Sequence, residues 1–99
     1  MDRNVEQYHA SLRKMLSDSD LRILFWRFIV EDCKVFHEGF PMNASAYCLL
    51  AKQEIGKRLL ADAKAIDFDG VVAAEKEYNE FVEQCALSNK QETEIFNGN

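Results

Sequence analysis

Residues that interrupt helices are scarce in this chain: there is one proline, Pro41, and four glycines in 99 residues. Nowhere do β-branched residues alternate with polar ones. That combination excludes a turn-rich sandwich or barrel, which needs a break at roughly every 8–12 residues. Three cysteines, Cys33, Cys48 and Cys85, are too few, too far apart and odd in number to form a disulfide framework, and a reducing compartment is the simpler expectation. Long hydrophobic runs are missing as well. The most apolar segment, "LRILFWRFIV", is broken by Arg22 and Arg27 and is followed by Glu31 and Asp32. It falls far short of the ~20 apolar residues that span a bilayer, so it is expected as a core helix. The first ten residues, "MDRNVEQYHA", lack the basic start and apolar run of an export signal.

Positive charge is in deficit, with 12 Lys and Arg against 17 Asp and Glu, a formal charge of -5. Attraction between cations and phosphate dominates nonspecific nucleic-acid binding, so this balance argues against direct binding to DNA or RNA. Equally absent are a glycine-rich phosphate loop, a nucleophile-elbow motif and a His-Glu zinc helix.

What remains is a globular composition, 47% hydrophobic and 11% aromatic, whose apolar residues recur at helical spacing. The fold class predicted is all-α, a compact bundle of about four antiparallel helices joined by short connections. The first helix, about residues 3 to 16, aligns Val5, Tyr8, Leu12 and Met15 on one side. "SDSD" then supplies caps for a second helix, about 20 to 36, which has two apolar stripes. One is Leu21, Leu24, Phe25 and Phe28; the other is Ile23, Trp26 and Val30. A single neighbour cannot cover both, so this helix is either packed on two sides by its own chain or presents the Ile23, Trp26, Val30 stripe to another subunit.

"HEGFPMN" forms a structured loop, with Asn43 as the next cap. A third helix, about 44 to 65, aligns Cys48, Ala51, Ile55, Leu59 and Ala63, and a fourth, about 68 to 87, aligns Val71, Ala74, Tyr78, Phe81 and Cys85 at a spacing suited to lying along another helix. Residues 1–87 are read as one domain and 88–99 as a mobile tail, apolar only at Ile95 and Phe96.

Candidates for chemistry are few. Cys33 and His37 stand four apart and would share a face if the second helix reached them, as a thiolate-imidazole pair or half a metal site that Cys48 and Cys85 could complete. Packing is the favoured role for all three cysteines. His9 is read as a surface residue. Asp67 and Asp69 are read as caps, and Glu75, Glu77 and Glu80 as a wet face. Lys52, Lys57 and Arg58 are read as a solvated face, with Glu54 placed to pair with Arg58. No catalytic, cofactor or metal site is therefore expected.

The order "CKVFHEGF", a short loop with Asn43, then "AYCLLAKQEIGKRLL" resembles a family of small proteins from short-tailed bacteriophages, encoded among the capsid and portal genes. The matching features fall at Cys33, Val35, Phe36, Phe40, Tyr47, Gln53, Gly56, Leu59 and Leu60, within residues 21 to 66, under half the chain. Leu50 and Ala51 replace a Glu-Gly pair that often precedes the basic step. The resemblance implies a virion-associated or morphogenesis role in the particle or the host cytoplasm, and no catalytic residues. On it, Phe36, Phe40, Tyr47 and Gly56 form one packing unit, with Gly56 removing a side chain where a neighbour comes close. The expected partners are proteins, either copies of the chain in a homo-oligomer or a head, portal or internal-core component, met through Ile23, Trp26, Val30, Ile95 and Phe96. A phage-encoded inhibitor of a host protein is the alternative.

Overall fold

The computed structural model describes residues 2–39 and 45–97, and side chains as far as residue 90. The described residues are helical almost throughout and contain no strand, so the chain is an all-α bundle. Helix α1 spans Arg3–Leu16, the bounds its periodicity predicts, and Asp2 caps it by accepting from the Asn4 amide at 3.1 Å. Helix α2 spans Ser19–Arg27, where Asp18 Oδ1 accepts from the amides of Asp20 at 2.9 Å and Leu21 at 3.3 Å. A π-helical turn, Phe28–Asp32, continues it. Helix α3 is Ser45–Ile66 and α4 is Phe68–Asn97, 30 residues or about 45 Å of helix.

The second helix ends earlier than its hydrophobic pattern suggests. The Cys33 amide bonds back to the Phe28 carbonyl at 2.9 Å, five residues away, and Lys34 turns into the left-handed region at φ 53°. His37 lies beyond that turn, so the helix does not carry it onto a face with Cys33.

The core gathers Leu16, Phe25, Trp26, Ile29, Leu60, Ala63, Val71 and Ala74, and α2 packs most extensively on α4. The buried line on α2 and its π turn is Phe25, Trp26, Ile29 and Cys33, continued by the half-buried Arg22, and it runs between the two stripes seen in the sequence. Trp26 is 6% exposed, with its ring 5.7 Å from that of Phe36. It belongs to the chain's own core and is not part of an outward stripe.

One polar clamp joins α2 to α4. Arg22 donates to both carboxylate oxygens of Glu77 at 2.7 Å and, through Nη1, to the Leu16 carbonyl at 2.9 Å, so one guanidinium ties together the end of α1, α2 and α4. Tyr8 Oη donates to Asp62 Oδ2 at 2.9 Å, fastening α1 to α3.

The bundle is not compact. Its radius of gyration is 17.3 Å, against about 13 Å for a globular domain of this length, and its longest extent is 64 Å. The cause is α4. Its first ten residues supply Val71 and Ala74 to the core, while every residue from 79 to 90 is exposed. Past Leu87, where a tail is expected from the low apolar content, the helix runs on to Asn97.

Candidate protein-contact surface

Two arrays of apolar side chains on the body and arm of the bundle lie open to solvent. The first is on α2, where Leu24 is 60% exposed and Leu21 and Phe28 are also exposed. Of the stripe offered as a contact with another subunit, Trp26 is buried and Ile23 and Val30 are half-buried, while the Leu21, Leu24, Phe28 edge is in water. Register decides it: the helix is centred on the buried Phe25, Trp26 and Ile29.

The second array is on α4. The spacing of Val71, Ala74, Tyr78, Phe81 and Cys85 is continuous, but its environment changes along the helix. Val71 and Ala74 are buried, Tyr78 is half-buried against the core, and Phe81, Val82 and Cys85 are exposed. The seam leaves the body of the protein while it is still apolar. Where the arrays meet, Asp20, Ile23, Leu24, Arg27, Tyr78 and Phe81 line an open groove whose walls are mostly apolar. Arg27 is paired there with Glu31 at 2.9 Å, and burial, followed by the charge of and a hydrogen bond to Glu31, raises the pKa of the Tyr78 hydroxyl.

Tail residues Ile95 and Phe96 fall on the last turns of α4, with their side chains outside the described region; Phe40 and Asn43 are outside it altogether. Of the proposed packing unit, Tyr47 is 78% exposed and Phe36 is exposed except where it meets Trp26. Gly56 is buried and does mark a close approach, with different neighbours. A Cβ there would stand 2.5 Å from Cys33 Cβ and 2.5 Å from Val35 Cγ2. The chain after α2 is pressed onto α3 at this point, and the adjacent Gln53, 4% exposed, holds it there by donating to the carbonyls of Lys34 at 3.0 Å and His37 at 3.1 Å. In the sequence Gln53 stands out only as one of the resemblance residues, because a buried glutamine on an apolar line has no periodic signature. It satisfies the His37 carbonyl and adds a second donor to the Lys34 carbonyl, which already accepts from the His37 amide at 3.0 Å across the left-handed turn.

The thiol and imidazole candidates separate. Cys33 is buried beside Gly56, and burial pushes its thiol up, with the charge of Asp32 adding to the effect and Lys52 opposing it. A raised thiol is a poor thiolate and hence a poor nucleophile. His37 is exposed and shares a shallow cleft with Lys34, Ser45, Cys48, Leu49 and Lys52. That cleft contains two cations and no carboxylate, and among the described residues no three His, Cys, Asp or Glu side chains gather closely enough to hold a metal ion. Also among the described residues, no helix is long and apolar enough to cross a membrane.

The arrangement is suited to burying apolar surface against another macromolecule. No protein-family model, curated protein or solved structure matches this chain.

Proposed function

We propose that this chain is a non-enzymatic helical protein that works by protein-protein contact, in self-assembly or against a head, portal or internal-core component during the building of a short-tailed phage particle. The observation that carries the contact reading is surface area. The chain exposes 7550 Å², whereas a globular protein of 11.4 kDa exposes about 5,800 Å². The difference, about 1,800 Å², exceeds the ~800 Å² per partner of a standard interface. On the arm of α4 every residue from 79 to 90 is exposed.

The phage assignment draws only on the resemblance between residues 21 and 66. Quantitative mass spectrometry of purified particles tests it: a fixed number of copies per particle is the expected result. Absence from particles, together with no complex with a head or portal component in infected cells, would overturn it. Recovery in a complex with a host protein would instead favour the inhibitor, a role that the acidic surface would suit if the host protein's normal ligand is a nucleic acid.

A further inference from the structure

We infer that the occupant of the α4 seam is a second copy of this chain, paired antiparallel through the projecting half of α4 about a two-fold axis near residues 85 to 88. The inference rests on the protein-contact reading above and names its partner and geometry.

Three observations select a copy over an unrelated protein. The first is charge. In a chain of net charge -5, the seam positions Tyr78, Phe81, Cys85 and Ser88 and the flanking neighbours Val82, Gln84, Asn89 and Gln91 are neutral; Glu77, on the row of Gln84 and Gln91, is paired with Arg22, and Glu80, Glu83 and Lys90 lie elsewhere around the helix. A copy can therefore approach along this line without opposing like charges, whereas a basic partner would find no acid on the seam before Glu92.

The second is coverage. In an antiparallel pair with the axis near residues 85 to 88, the level of Glu92 on one copy coincides with that of Phe81 on the other. The last turns of each α4, carrying Ile95 and Phe96, then arrive at the groove beside Ile23, Leu24 and Tyr78. One operation brings each chain's seam and groove against the other copy, and Glu92 of the second copy reaches the level where Arg27 lines the groove. A parallel pair would set the Glu92 residues side by side on the seam and leave both grooves open.

The third is area. The chain exposes about 1,800 Å² more than a globular protein of its mass, more than the ~800 Å² that each partner of a standard two-fold interface buries.

Sedimentation velocity of the full-length chain across a wide concentration range, combined with one distance measurement, tests the pairing. The expected result is a dimer that Phe81→Glu converts to monomer with an unchanged circular dichroism spectrum. Leu87→Glu, at an exposed position on the far side of the same helix, should leave the dimer intact. With Cys48 and Cys85 replaced by Ser and Glu75→Cys spin-labelled, two antiparallel helices place the labels about 35 Å apart by the 1.5 Å rise per residue, and a parallel pair places them well under 20 Å apart. A monomer at every concentration, equal disruption by Leu87→Glu, or the short distance would overturn the inference. None of these results bears on whether the chain is found in particles, so the two readings fail separately.

Discussion

Gly56→Ala should destabilise the protein, although helix propensity alone says the reverse. In an open helix interior, Ala is favoured over Gly by about 1 kcal/mol. Here the added Cβ would stand 2.5 Å from Cys33 Cβ, 2.5 Å from Val35 Cγ2 and 3.2 Å from Cys33 Sγ. Carbon atoms pack best at about 3.5–4.0 Å, so residues 33 to 35 must retreat by roughly 1 Å. They are poorly free to do so. Cys33 meets the new atom through its Cβ, which moves only with the backbone, and that backbone is tethered by Gln53 to two carbonyls and by the Val35 amide to the Ile29 carbonyl at 3.2 Å. Overpacking of a filled site costs about 1–3 kcal/mol, and stretched hydrogen bonds add up to about 1 kcal/mol each. Set against the propensity gain, the net loss is about 1–2 kcal/mol, or a fall of roughly 4–16 °C in Tm for a domain of this size. Thermal and urea unfolding followed by circular dichroism, at one fixed protein concentration, measures it. Ala61→Gly, at an exposed position on the same helix, calibrates the propensity term at about 1 kcal/mol in the other direction. If Gly56→Ala melts at or above the wild type, the close approach of the 33–35 segment to α3 is wrong.

Other perturbations follow from the same contacts. Gln53→Leu leaves the Lys34 and His37 carbonyls without their side-chain donor, and urea unfolding should show a loss of about 1–3 kcal/mol. Lys34→Gly removes the side chain from a residue at φ 53° and should raise stability by up to about 1 kcal/mol; a clear loss would show that the turn is not strained. The hydrogen bonds from Arg22 hold the Glu77 carboxyl below the usual glutamate range, so the stability they supply is complete above the unfolded-state pKa and disappears as pH falls through the folded one. In unfolding titrations from pH 7 to pH 3, Glu77→Gln should be less stable than wild type at neutral pH and should converge with it in acid.

Much of this architecture is legible in the sequence, and the misreadings have identifiable causes. The limits of α1 follow from Asp2, "SDSD" and one unbroken stripe, where propensity, capping and periodicity agree. The second helix departs from its reading because a continuous apolar pattern does not register a π turn: nothing in "FIVEDCKVF" marks Lys34 as left-handed. The inward face of the same helix runs between its two apolar stripes; grouping residues into two stripes omits Ile29, and with it the i, i+3, i+4, i+7 and i+11 line of Arg22, Phe25, Trp26, Ile29 and Cys33. A close approach at Gly56 could be read from a glycine among good helix formers, but its neighbours could not, since Cys33 and Val35 come from a turn that precedes α3 in the chain. The tail reading equated low apolar content with loss of helix. Between Leu87 and Asn97 there is no Pro or Gly to stop a helix already nucleated on the core, and its continuation makes the protein extended where a compact bundle was expected.

Hydrogen exchange of α4 as a function of protein concentration tests the central claim most directly. An arm standing alone in water should exchange almost as fast as an isolated helix, while one paired along its seam should be protected. The account predicts that amides from residue 79 onward are poorly protected in dilute solution and gain protection as the mass doubles, with those of residues 71 to 78 protected throughout. Protection of the arm that does not change with concentration would contradict it.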